Sequence, residues 1–245
     1  MNLTEAGERF VLKAQGILAG VEEAVEELRH SPEDLSGRVR IGVTETISAY
    51  LIPMLVSSLS RHFPNLQIEM IERDRTSIEK GLLAQEFDLA FILVSNMEGR
   101  HELEYETMLR SPRRLWLHSE NPLQYREGLT LGDIAQTDFI LLDMDEHVST
   151  VKRYWGARGL EPKVHFSSRS LEAVRSLVAL GQGVTILSDL VYRPISLEGR
   201  RIIRRDLDDT LPTMDVGCVW KKQEPQPRVI GAVIDFIRRS ISESG

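Results

Sequence analysis

The chain has 245 residues, 42% of them hydrophobic and 27% charged, with a formal net charge of -7. That balance fits an ordinary globular protein of one large or two small domains, and its sign disfavours non-specific nucleic-acid binding. One cysteine, Cys218, excludes an internal disulfide framework and a Cys-rich zinc site, and its apolar flanks make it a packing residue in a strand.

From Thr4 to His30 the pattern predicts one long helix. Phe10, Ala14, Ile17, Leu18, Val21, Ala24, Val25 and Leu28 recur at helical spacing, and Glu22, Glu23, Glu26 and Glu27 occupy the opposite face. Ser31-Pro32 ends it. Its apolar stripe is buried either on the body of the same chain or against another chain; the polar break at Glu33, Asp34, Ser36 and Gly37 favours the second. The charged start, with Glu5, Glu8 and Arg9, has no signal-peptide core, and no run of about 18 apolar residues follows. The expectation is a cytoplasmic protein with no membrane contact.

After Gly37, strand and helix alternate. Val39–Val43 reads as a strand, Ile47–His62 as a helix, Leu66–Met70 as a strand, Ser77 to about Gln85 as a helix, and Asp88–Val94 as an apolar strand. Such apolar strands belong inside a parallel sheet covered on both faces, so this half is a doubly wound βαβαβ unit. Leu103–Leu109 and Leu115–His118 are extended. A second series follows: helix Leu131–Ala135, strand Phe139–Leu142, helix Glu146–Arg158, strand Val164–Phe166, helix Leu171–Leu180 and strand Val184–Leu187. Strands at Ile202–Ile203 and Val216–Trp220 precede a closing amphipathic helix, Val229–Ile241. Two α/β units joined by crossovers near Leu109–Leu115 and Pro212–Val216 predict a cleft between them, the usual place for a ligand.

Several segments resemble the C-terminal part of a LysR-type transcriptional regulator. Leu3-Thr4-Glu5-Ala6-Gly7-Glu8-Arg9-Phe10 is similar to the signature that opens the family's linker helix. Gly37–Val43 resembles the first strand of its effector-binding domain, and Phe63–Ile68 the next turn and strand. Glu86–Phe91 fits a short Asp-Leu-Ala strand, and Val178–Leu187 the late Gly-x-Gly strand entry. At Ser188, where the family often carries Pro, this chain departs from the pattern.

The resemblance covers essentially the whole chain. It implies a periplasmic-binding-protein-like α/β fold: a linker and dimerisation helix over 1–36, then an effector-binding domain over 37–245. Subdomain I would comprise 37–111 and 215–245, and subdomain II 112–214. It implies a sensor with no catalytic activity and no cofactor, binding a small-molecule effector in the cleft. It also implies a homodimer or homotetramer, with DNA contacted only through an N-terminal domain preceding Thr4 and missing from this sequence.

Candidate ligand-binding residues are hydroxyls and charges at strand exits and helix starts. They are Thr44, Glu45 and Thr46 after the first strand, Ser95 after the apolar strand, Ser168, Arg169 and Ser170 before the helix from Leu171, and Thr185 in the last strand of the second unit. Hydroxyls and free backbone N–H groups at a helix start suit a small anion, and Arg169 could grip a carboxylate. Each has a plainer alternative. Thr46 and Ser170 could be caps only, and Arg169 could pair with Glu172. Glu45 facing the cleft would repel a carboxylate and select a cationic or polyhydroxylated group. The six histidines (His30, His62, His101, His118, His147, His165) are scattered without metal spacing and read as surface or packing residues. Arg200, Arg201, Arg204 and Arg205 lie near Asp206, Asp208 and Asp209, which favours a solvated strand and loop over a nucleic-acid patch. The rival readings are a transport-type solute receptor and a transferase or deaminase on the same fold. The second needs an acid–base pair or nucleophile that the sequence does not display.

Overall fold

The computed structural model of the chain describes residues 35–95, 97, 101–144, 146–223 and 225–242. The helix expected over Thr4–His30 lies outside the described residues. In order, the elements are β1 (Gly37–Val43), α1 (Glu45–Tyr50), α2 (Ile52–His62), β2 (Leu66–Glu72), α3 (Arg75–Leu83), β3 (Leu89–Leu93), β4 (Leu103–Ser111) and β5 (Arg113–His118). There follow α4 (Leu131–Ile134), β6 (Asp138–Leu142), α5 (His147–Gly156), β7 (Lys163–Ser168), α6 (Leu171–Ala179), β8 (Thr185–Ser188), β9 (Ile202–Arg205), β10 (Met214–Lys221) and α7 (Arg228–Ser242).

The first sheet has the order β2-β1-β3-β10-β4, with β1 parallel to β2 and β3, and β10 antiparallel to β3 and β4. Its two faces carry separate apolar clusters. One gathers Val39, Ile41, Leu55, Leu59, Phe63 and Ile234; the other gathers Ile78, Leu82, Phe87, Ile92 and Val219. The alternation in β1 is kept: Val39 and Ile41 are fully buried, while Arg38 and Arg40 turn outward to Glu69 and Asp88. Gly42 lies beneath α3, where an added Cβ would come within 3.1 Å of Ile78. Cys218 is fully buried in β10 opposite Phe91 and Glu106.

The second sheet has the order β8-β5-β9, and the parallel pair β6-β7 joins it through a parallel bridge from Phe139 to Val184. Phe139, Trp155, Leu115 and Ile186 pack one face, and Trp116, Ile140, Val174 and Val178 the other. Each half therefore has its own core.

Three local features differ from the sequence reading. The helix expected over Ile47–His62 is broken at Leu51, because Pro53 opens α2 and cannot donate to the preceding turn. α3 starts at Arg75 instead of Ser77, since Asp74 is the cap and accepts from the Ser77 amide at 3.0 Å. β4 and β5 run almost without interruption, with Pro112 alone between them.

Gly217 marks an irregularity in β10, where an added Cβ would stand 2.6 Å from Val94 and 2.9 Å from the Glu106 carbonyl. Gly217→Ala is expected to lower stability by about 1–3 kcal/mol through overpacking. Gly231→Ala, in α7 with nothing within 4 Å of its Cβ position, should be neutral or stabilising by up to about 1 kcal/mol. Urea unfolding of the two variants checks both signs.

Candidate functional site

The chain leaves the first sheet at Pro112 and returns to it along 206–213, so the two sheets meet at a narrow crossing. Polar groups there are tightly paired. The Ser188 hydroxyl donates to Ser111 Oγ at 2.7 Å, and Ser111 Oγ accepts from the Leu190 amide at 2.9 Å. The Asp189 amide donates to the Pro112 carbonyl at 2.9 Å, and Arg113 donates to the Pro212 carbonyl. On the first-sheet side the Asp215 amide donates to Ser95 Oγ at 2.8 Å.

Above this crossing lies a recess in two compartments. The inner one is a partly enclosed chamber of about 40 Å³ lined by Thr46, Ser95, Arg113, Met144, Glu146, His147, Thr150, Ser188 and apolar neighbours. At about 10–15 Å³ per water it holds roughly three waters. The outer one is an open recess of about 440 Å³ lined by Glu45, Thr46, Ala49, Tyr50, Met144, Arg169, Ser170, Leu171 and Glu172. Thr46, Met144 and Leu171 line both, and the Thr46 hydroxyl donates to Met144 Sδ at 3.3 Å, so these three side chains form the partition.

Further contacts bridge the halves across the recess. Arg75 of α3 holds Glu146 at the start of α5 and, at 2.7 Å, Glu79 of its own helix. On the opposite lip the Tyr50 hydroxyl accepts from Arg175 at 3.0 Å, and Arg193 stacks over the Tyr50 ring.

The sequence candidates divide. Thr46 lines both compartments, Ser95 the inner one, and Glu45, Arg169 and Ser170 the outer one. Thr44 is buried beside them as the N-cap of α1, but its side chain makes no cap bond, and its Oγ1 has no hydrogen-bond partner. Ser168 serves the backbone, its hydroxyl accepting from the Ser170 amide, and Ser170 caps α6 through the Ala173 amide at 3.2 Å. Thr185 is fully buried in β8, opposite Trp116, and lines neither compartment. Glu172 is taken by Arg175 and Tyr50, not by Arg169. In the basic cluster Arg200, Arg201 and Arg204 are exposed, as a solvated strand and loop would be, with Arg204 pairing with Asp189 at 2.7 Å and stacking on Tyr192.

Two functional candidates escaped the sequence reading. Arg113 is only 9% exposed, and burial works against its charge. His147 opens α5; its Nε2 is buried without a partner, and burial, helped by the Arg113 guanidinium, pushes its pKa down to about 3. The usable signals were a basic residue at the crossover itself and a histidine at a strand-to-helix junction.

Residues 32–242 match the family model described as LysR substrate binding domain. The chain is similar to the hydrogen peroxide-inducible genes activator of Pectobacterium carotovorum subsp. carotovorum, with 28% identity over 190 residues, covering 76% of this chain and 62% of that protein. It thus spans about three fifths of that relative's length. Its fold is similar to that of HinK, a LysR family transcriptional regulator from Pseudomonas aeruginosa (TM-score 0.77, 24% identity, 98% of this chain and 81% of that one). It is also similar to the BenM effector binding domain with its effector benzoate (TM-score 0.73, 19% identity, 85% of this chain and 93% of that one).

The depressed His147 pKa carries a pH signature. The unfolded histidine titrates near 6.5, so between about pH 6.5 and the folded value the unfolded chain binds more protons. Stability of the unliganded protein should fall as pH drops through that window, by at most about 1.4 kcal/mol per pH unit for one histidine. His62, lowered by burial and then by Arg239, adds with the same sign. Urea unfolding across this pH range should show a shallower slope for His147→Gln than for the parent.

Proposed function

Since the chain belongs to the family of LysR substrate binding domains, we propose that it is the effector-sensing part of a LysR-type transcriptional regulator. In this reading a small metabolite enters the recess between subdomain I (37–111 and 215–245) and subdomain II (112–214). The observation that carries it is the two-compartment recess at the crossing of the sheets, partitioned by Thr46, Met144 and Leu171. A ligand spanning the two compartments touches side chains of both halves at once. It therefore binds different relative orientations of the halves with different affinity, which is the condition for a population shift.

This reading gives the cysteine of the chain no part in sensing. Thiol-based peroxide chemistry needs an accessible thiolate. Cys218, the one cysteine of the chain, is fully buried, and burial pushes its pKa up.

Family membership also supports the rest of the reading: a cytoplasmic homodimer or homotetramer assembled through the amphipathic stretch Thr4–His30. DNA would be contacted through a separate, preceding domain. Among the described residues no helix is long and apolar enough to cross a membrane.

A thermal-shift screen of metabolites tests the sensor. At about 100 times its Kd a ligand should raise the melting temperature by about 5–10 °C and be recovered unchanged; conversion of the hit to a product overturns the reading. Thr46→Ala is expected to weaken that ligand about tenfold, and Arg169→Ala to weaken it less. Unchanged affinity in both removes the ligand from the recess. For assembly, combined Ile17→Lys and Val21→Glu should give a monomer by sedimentation, and an unchanged mass overturns the helix-mediated dimer.

A further inference from the structure

The inner chamber brings together two basic side chains, Arg113 and His147, and its one described carboxylate is already engaged by an arginine outside it. Arg113 projects from β5 into it, buried, with the Pro212 carbonyl as its hydrogen-bond acceptor. Among the described residues no carboxylate forms an ion pair with it. His147 lines the same chamber, and its Nε2 is buried without a partner. It stands at the N-terminus of α5, a helix of 10 residues whose N-cap residue, Glu146, supplies no side-chain cap. The one described carboxylate lining the chamber, Glu146, is held across the cleft by Arg75. A buried charge without a counter-ion is costly, and the positive end of a helix adds to the demand for an anion.

We propose that the inner chamber is a proton-coupled oxyanion site, in which one carboxylate- or sulfate-sized group docks between Arg113 and His147 and draws a proton onto the imidazole. This rests on reading the recess as the effector site, and it specifies which end of the effector enters first. The chamber of about 40 Å³ fits a head group and no more. The remainder of the ligand extends past Met144 into the outer recess, beside Glu45, Tyr50 and Arg169. Glu45 thus lines the compartment that receives the body of the effector and not the one that receives its charge.

The proton follows from the surroundings of His147. Sharing the chamber with it are Arg113 from β5 and Glu146, the residue before α5, which Arg75 of α3 holds; Tyr154 of α5 and Asp215 of β10 act electrostatically on Arg113. In the unliganded protein burial and the guanidinium keep the ring neutral. An oxyanion against both groups offsets the guanidinium and gives Nε2–H an acceptor, so the protonated ring becomes the favoured form. Affinity should therefore rise as pH falls and be lost as pH rises through the liganded pKa of His147.

Calorimetric titration of the full chain near pH 7, where a histidine can exchange its proton, tests this with benzoate, acetate and inorganic sulfate against neutral benzamide. Tris and imidazole buffers, which are cationic and differ in ionisation enthalpy, report proton uptake. The expected result is binding of at least one anion with uptake of up to one proton, no binding of benzamide, and no uptake in His147→Gln. Arg113→Lys should bind that anion at least about tenfold more weakly; should it fail to fold by circular dichroism, the His147→Gln arm decides alone. Equal heats in the two buffers, benzamide matching benzoate, or no anion bound at millimolar concentration overturns the oxyanion assignment. A neutral metabolite whose affinity depends on Thr46 would leave the sensor reading standing without it, whereas binding of any ligand that ignores Thr46 and Arg169 alike would remove the sensor reading itself.

Discussion

Two strands' worth of chain hold the halves of this molecule together, and most of its other features answer to that constraint. The path from β4 to β5 turns on Pro112, and the return path enters β10 at Met214. The apolar clusters divide two and two between the sheets, with only peripheral residues such as Tyr50 and Leu190 packing across. Rotating one half against the other therefore exposes little apolar core. What has to be kept satisfied is the backbone and hydroxyl polarity at the crossing, and the Ser111–Ser188 pair with the amides of Leu190 and Asp189 does that over short distances.

The contacts that close the recess are of a different kind. Arg75 with Glu146 and Tyr50 with Arg175 are polar and part-buried, and Thr46 with Met144 is a single buried contact. Ion pairs at such positions are worth roughly 0–1 kcal/mol each. Closure of this sort is a bias and not a lock, and a ligand with modest differential affinity can reset it. The chamber beneath is the opposite case. Arg113 and His147 are held where burial opposes their charged forms.

The sequence made the architecture legible because the physics there is periodic. Val39, Ile41 and Val43 alternate, Leu89–Leu93 is apolar throughout, and both patterns survive as β1 and β3. Helix ends were less legible wherever one residue decided them, as Pro53 did at Leu51 and Asp74 before Ser77. The site was legible at Thr46 and Ser95, where strand exits point at the crossing, and illegible at its charged floor. Arg113 sat in an extended stretch with no period to read, and His147 resembled five other scattered histidines. Their meaning depends on the approach of β5 to α5, a relation between distant segments that no local pattern encodes. Thr185 shows the converse: a hydroxyl in an expected strand that is fully buried opposite Trp116 and lines neither compartment.

Cys218 gives this arrangement an internal clock. Its thiol is sealed at the middle of the first sheet, in the strand that also carries the chain back from the second. A reagent reaches it only when β10 parts from β3 and β4, which means losing the sheet itself. Rocking of the halves about Pro112 leaves that seal intact. Thiol labelling of the native protein thus counts global openings and stays blind to breathing of the recess, while amide exchange at the partition residues records both. The two motions can be timed separately on one unmodified molecule, because the fold has placed its single chemical reporter where only one of them arrives.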